Sequence, residues 1–185
     1  MRFLKNRKFA AVVLAACVFA STFLLGGGAL RNNRYDILRV FSDGTDTSLS
    51  TRHSMDAYLQ RAAERANALA EQGVKLEAKE SLVEAVRTYA QVVGTSHVAL
   101  DERHLAYQNL TAAVESLYTQ LERDNDEMDL LDAKLAYSDY KSAVNMIQND
   151  QYPVLASEFN QSLKEFPANL IAAMFAIKPL NTFGW

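Results

Sequence analysis

The side chains best placed to do chemistry are His97, Asp101 and His104. Set at i, i+4 and i+7, they would face one way on a helix, the spacing by which helices present metal ligands. They follow Gly94-Thr95-Ser96, where a helix is only beginning, and Asp101, Glu102 and Arg103 read as a solvated first turn. The expectation is therefore no metal and no other cofactor, with these residues as the candidate ligands should a metal bind. The acidic run Asp124, Asp126, Glu127, Asp129 and Asp132 carries Met128 and Asp129 where a calcium loop requires an acid or Asn and then a glycine, so it reads as an interhelical turn. His53 stands alone, and no serine or cysteine pairs with a histidine and an acid in a nucleophile motif. No residue is assigned a catalytic role, and the chain reads as a non-enzyme. Tyr58, Tyr89, Tyr107, Tyr118, Tyr137, Tyr140 and Tyr152 would suit an aromatic ligand pocket, although core and boundary packing is the simpler use.

The elements that position these residues read as helices. From Thr45 to Tyr152 there is no proline, and the only glycines are Gly73 and Gly94. Met55, Tyr58, Leu59, Ala62, Ala66, Leu69 and Ala70 form an apolar stripe at helical spacing, predicting a helix over about 53–72 that ends near Gly73. Leu82, Val83, Val86, Tyr89, Ala90 and Val93 form a second stripe, and Leu110, Val114, Leu117, Tyr118 and Leu121 a third. A fourth element starts near Met128 with Leu131 and Leu135 and continues through Tyr140, Val144 and Ile147 toward Leu155, Phe159, Leu163 and Phe166. Pro153 predicts a kink or break near Asp150, because proline lacks an amide donor and its ring clashes with the preceding turn. No strand signal competes. The fold class is all-α: a single N-terminal transmembrane helix followed by an antiparallel bundle of about four long helices.

The transmembrane assignment rests on the run from Phe9 to Leu25, which carries no charge and is extended by Gly26-Gly27-Gly28-Ala29-Leu30. Phe9, Val12, Val13, Leu14, Phe19, Phe23, Leu24 and Leu25 are its bulk. About 20 apolar residues cross the hydrocarbon core as a helix. The run also fits a cleaved signal peptide or, through Leu14-Ala15-Ala16-Cys17, a lipoprotein signal. The residues after Cys17 stay apolar, where a mature lipoprotein begins with a polar tether, so an uncleaved anchor is the favoured reading. Arg2, Lys5, Arg7 and Lys8 precede the run while Arg31, Arg34 and Arg39 follow it, which leans toward a cytoplasmic N-terminus and an extracytoplasmic bundle. The domains divide as a basic flank over 1–8, the anchor over 9–30, a juxtamembrane segment and polar linker over 31–54, the bundle over 55–167 and an apolar tail over 168–185. The 185-residue chain has a net charge of −3, which supplies no basic field for nucleic acid, and its one cysteine forms no intrachain bridge.

The C-terminal part carries a recognisable pattern. Tyr152, Phe159-Asn160, Phe166-Pro167, Asn169-Leu170-Ile171-Ala172, Phe175 and Lys178-Pro179 resemble the C-terminal signature of the LemA family, and Leu59-Gln60-Arg61 is similar to that family's Leu-Gln-Arg-Arg segment. Ala62 stands where the family has its second arginine, and Asn67-Ala68 replaces a Pro-Asn step, so the resemblance is to a divergent member. It implies a bacterial, membrane-anchored antiparallel bundle with no assigned enzymatic activity and no catalytic residues to carry over. Some relatives are associated with membrane-organelle formation or membrane proteases.

Together these readings predict a scaffold or adaptor in the bilayer, with a membrane-protein partner or a second copy of itself on its bundle and no nucleic-acid partner. A sensory or small-ligand-binding four-helix bundle is the alternative, and a metal-binding helical protein the third. Pro167 should end the preceding helix, leaving Leu170, Ile171, Met174, Phe175 and Ile177 as an apolar segment. That segment either folds back on the bundle or lies on the bilayer surface with Phe183 and Trp185 at the interface.

Overall fold

The structure is a computed structural model and describes residues 7–44, 46–47, 50–51 and 54–183. His53 and Trp185 lie outside the described residues, as do the first six residues of the basic flank. The described elements are α1 (Arg7–Asp43), β1 (Asp46–Thr47), β2 (Ser50–Thr51), α2 (Met55–Lys75), α3 (Glu80–Gly94), α4 (Leu100–Asp124), α5 (Leu131–Gln148), α6 (Gln151–Ser162) and α7 (Ala168–Met174). Among the described residues the chain is all-α apart from β1 and β2, a two-residue antiparallel ladder with Asp46 opposite Thr51 and Thr47 opposite Ser50. Contacts divide the chain into two compact units. One comprises Met1–Leu38 and Leu155–Leu180, the other Arg39–Val154 and Asn181–Trp185.

The second unit is built on the antiparallel bundle α2–α5. Its connections run over 76–79, 95–99 and 125–130, short enough that successive helices must reverse direction and pack side by side. Helix α2 packs on α3, α4 and α5. Its stripe Leu59, Ala62, Ala66, Leu69 and Ala70 is buried, as are Val83, Val86, Ala90 and Val93 of α3 and Leu110, Val114, Leu117 and Leu121 of α4. In α5 the buried set is Ala133, Tyr140, Ala143, Val144 and Ile147, whereas Leu131 and Leu135 are exposed. The fourth stripe is thus corrected: Ala133 sets the inward register, and residues two positions either side of it lie about 200° around the helix.

Helix ends follow local chemistry. The Ser54 hydroxyl accepts from the Ala57 amide at 3.2 Å and caps α2. At the other end α2 passes through Gly73 to Lys75. The Glu77 amide donates to the Val74 carbonyl at 3.3 Å and the Ala78 amide to the Gly73 carbonyl at 2.8 Å, the paired bonds of a Schellman cap, with Glu77 left-handed at φ 54°. Gly73 is therefore an interior position, not the stop that the sequence suggested. A Cβ there would lie 3.2 Å from both Leu117 Cδ1 and Val83 Cγ2, so the missing side chain admits neighbouring helices. The expected break near Asp150 separates α5 from α6. Asp150 Oδ1 accepts from the Tyr152 amide at 2.8 Å, and Pro153 occupies the first turn of α6, where its missing N–H would have had no intrahelical partner.

Helix α1 overruns the expected anchor end at residue 30 and continues to Asp43. The segment over 31–43 is helical, not linker: Arg39 and Asp43 pair at i, i+4, 3.3 Å apart, and Gly44 stops the helix at φ 76°.

One ion pair joins three of these helices. Arg103 of α4 is buried and paired with Asp56 in the first turn of α2, while its Nε donates to the Val93 carbonyl at 2.7 Å. Val93 precedes the last residue of α3, so this carbonyl has no intrahelical donor of its own. Asp56 Oδ2 also accepts from Gln60 Nε2 at 2.9 Å and Ser96 Oγ at 3.0 Å. Arg103→Leu strands the Asp56 carboxylate and the Val93 carbonyl together, with an expected cost of about 3 kcal/mol. Substituting leucine at both Arg103 and Asp56 should recover part of that loss. Denaturant melts of the two variants check the order.

Candidate functional site

Two places concentrate unusual features, one in each unit. In the first unit, the bulk of the apolar run faces outward: Val12, Leu14, Phe19, Leu24 and Leu25 are exposed, Leu25 at 75%. Of the expected anchor residues, Phe23 alone is buried, and Phe19 lies against it with ring centroids 4.3 Å apart. Helix α1 is long and apolar enough to cross a membrane. Residues 9–30 span about 33 Å at 1.5 Å per residue, against a hydrocarbon core of about 30 Å. Cys17 is exposed on this helix.

The tail docks where α1 has no side chains. A Cβ on Gly26 would lie 2.6 Å from Ile171 Cδ1, and one on Gly27 would lie 2.5 Å from the Phe175 ring, while one on Gly28 meets nothing. Arg31 Nη2 donates to the Phe175 carbonyl at 3.5 Å and Arg34 Nε to the Lys178 carbonyl at 3.2 Å. Farther along, Asn160 Nδ2 donates to the Leu180 carbonyl and the Leu180 amide donates to Asn160 Oδ1, both at 2.7 Å. The side-chain amide thus imitates a strand partner for the backbone of Leu180. Ile171, Ala172 and Leu180 are buried, whereas Phe166 is 80% exposed beside its cis bond to Pro167. Leu170 is exposed, and Asn169 Oδ1 accepts from its amide at 2.7 Å. Helix α6 ends at Ser162, before Phe166-Pro167, so that step starts α7 instead of stopping the preceding helix.

In the second unit, Phe183 is buried, which overturns its placement at a bilayer interface. It lies 5.7 Å from Phe41, 5.0 Å from His104 and 6.0 Å from Tyr107 between ring centroids. Tyr152 meets Phe41 edge-on at 5.0 Å. The Arg103 guanidinium lies over the Phe41 ring at 5.9 Å. Leu59 of the Leu-Gln-Arg segment is buried in the bundle, Gln60 bonds Asp56, and Arg61 reaches Met146 Sδ at 3.9 Å.

This arrangement corrects the metal candidates. His97 sits in the turn before α4, outside any helix, so the i, i+4, i+7 geometry does not form. Asp101 Oδ1 accepts from Asn181 Nδ2 at 2.6 Å, and His104 packs edge-on to Phe183 with Gln108 3.2 Å from its Nε2. Among the described residues, no three His, Cys, Asp or Glu side chains converge as a metal set.

Burial governs the titrating groups. It pushes His104 below the usual imidazole range, against an opposing pull from Asp101, and His104 Nδ1 has no hydrogen-bond partner among the described residues. Burial likewise drives Tyr107 upward, and Tyr140 to about 12. Glu115 would be raised by burial, but hydrogen bonds from Tyr137 at 2.6 Å and Lys141 at 3.0 Å outweigh that and hold it low. Tyr118 and Tyr137 stack with centroids 3.9 Å apart. These tyrosines fasten α4 to α5 and serve as packing.

Sequence reasoning missed Arg103, Asp56, Phe41 and the arginines that bind the tail carbonyls. Arg103 and Asp56 gave no signal, since charged residues near helix starts are ordinarily solvated. Three consecutive glycines within an apolar run were a legible sign of close packing.

The fold therefore defines a class: an all-α protein with a four-helix bundle and one exposed, apolar helix of membrane-crossing length. No protein family, curated protein or solved structure matches the chain.

Two outcomes follow from this geometry. Because the folded-state pKa of His104 is lowered, the unfolded chain binds its proton first, and stability is lost as pH falls below about 6.5 toward the folded value. His104→Phe should flatten that part of the pH profile in melts taken from pH 7.5 to 5. Gly27→Leu should displace Phe175 and raise hydrogen exchange across residues 168–180 while Gly28→Leu leaves it unchanged.

Proposed function

We propose that the chain is a single-pass membrane protein, anchored by α1, whose helical bundle is a non-catalytic scaffold or adaptor for a membrane-protein partner or for a second copy of itself. The observation that carries the first half is the outward face of α1. An amphipathic helix of a soluble domain buries its apolar side, whereas Val12, Leu14, Phe19, Leu24 and Leu25 remain exposed along a helix with no charge from Phe9 to Leu30. Apolar patches of this extent are covered by lipid or by protein. The orientation with the N-terminus in the cytoplasm accords with the four cations that precede the run.

The scaffold half draws on what the polar and aromatic residues do. Asp101 and His104 are engaged with Asn181 and Phe183 of the C-terminal segment, and Glu115, Tyr118 and Tyr137 join α4 to α5. The resemblance of Phe159-Asn160, Phe166-Pro167 and Asn169 to Pro179 to the LemA signature supports the same reading. In that pattern Asn160, Ile171 and Phe175 are the residues that seat the tail.

The full-length chain should stay in the membrane pellet after carbonate extraction and should crosslink in membranes to a recurrent protein partner or to itself. Release into the carbonate supernatant would refute the anchor. Crosslinking that yields only monomer while the protein stays in the pellet would refute the scaffold. Protease protection of the bundle in sealed inverted vesicles checks the orientation.

A further inference from the structure

Beside the docked tail, the first unit contains a cavity of about 420 Å³ whose lining includes Arg31, Arg34, Tyr35, Leu38, Phe175 and Lys178. Three cationic residues line it, and among the described residues no Asp or Glu does. Asp36, two residues beyond Arg34, points about 200° away around α1. We infer that this cavity binds the phosphate of an anionic lipid headgroup, an inference that rests on α1 being in a bilayer.

The depth of the cavity fits that occupant. Arg31 is the first charge after the apolar run, and Arg34 lies about 4.5 Å farther along the helix. With residues 9–30 filling the hydrocarbon, both guanidinium groups come to the headgroup layer. Tyr35 is exposed there, as suits a ring with one apolar and one wet end.

The arginines are also pre-positioned. Arg31 gives one N–H to the Phe175 carbonyl, and its guanidinium lies over the Phe175 ring at 5.5 Å. Arg34 gives only its Nε–H to the Lys178 carbonyl. Each therefore keeps four of about five N–H donors, enough for the two-pronged grip that guanidinium makes on a phosphate. Their rotamers are held by the tail before any ligand arrives, so little side-chain freedom is lost on binding. Lys178, which also lines the cavity, adds a third positive charge. A zwitterionic headgroup would bring its own cation toward these three, and phosphatidylglycerol brings none.

Full-length protein in a neutral detergent, titrated with phosphatidylglycerol, phosphatidylcholine or glycerol 3-phosphate and read by native mass spectrometry, tests the site. Phosphatidylglycerol should bind at least tenfold more tightly than phosphatidylcholine. Arg31→Gln and Arg34→Gln should each weaken phosphatidylglycerol binding about fivefold, with the protein still resistant to carbonate. Equal binding of the two lipids by the unaltered protein would overturn the inference without any variant having to fold. So would an undiminished preference in the doubly substituted chain. Displacement of phosphatidylglycerol by an equal concentration of glycerol 3-phosphate would overturn the lipid assignment in favour of a soluble phosphate. Release of the protein by carbonate marks failure of the anchor itself, which these binding ratios do not test.

Discussion

A buried guanidinium organises the bundle. Arg103 is 1% exposed, and an unpaired charge at that depth would cost about 3–5 kcal/mol. Its Nε and Nη1 find partners only when the start of α2 supplies Asp56 and the end of α3 supplies the Val93 carbonyl, while Nη2 has no hydrogen-bond partner among the described residues. Three helices must therefore arrive together. The pair contributes little net stability compared with apolar side chains of the same size. Its effect is on which arrangement folds, because any other register of α2, α3 and α4 leaves a charge without a partner.

The aromatic cluster in the same unit extends this constraint. Phe41 lies under the guanidinium and beside Tyr152 and Phe183, so the end of α1, the start of α6 and the last described residues share the bundle's core. Phe183 is seated by rings with no polar bond to hold it. Asn181 supplies the polar anchor two residues earlier, on Asp101. A side chain that the sequence left open to a membrane surface is instead one of the largest fully buried groups among the described residues.

In the first unit the controlling feature is the absence of side chains. Gly26 and Gly27 let Ile171 and Phe175 approach the backbone of α1. The hydrogen bonds of Arg31, Arg34 and Asn160 then fix the strand-like chain that follows. Small residues at a close helix crossing are the usual means by which apolar helices pack in lipid, where burial of apolar area offers no driving force. The same geometry leaves the guanidinium groups aimed and only partly used.

Much of this was legible in the chain itself. Periodicity of 3.6 residues located all four bundle helices, because apolar stripes and the scarcity of glycine and proline are local properties. The break before α6 was legible for the same reason. Residues 9–30 declared their hydrophobicity. Only the tertiary structure decided that Gly73 is packed, not a stop, that α1 runs on to Asp43, that Ala133 and not Leu131 sets the face of α5, and that His97, Asp101 and His104 do not converge. Each of these depends on what lies opposite in space. A glycine, a histidine or an arginine has the same local spacing whether a neighbour, a solvent shell or an ion pair meets it, and the partner comes from residues tens of positions away.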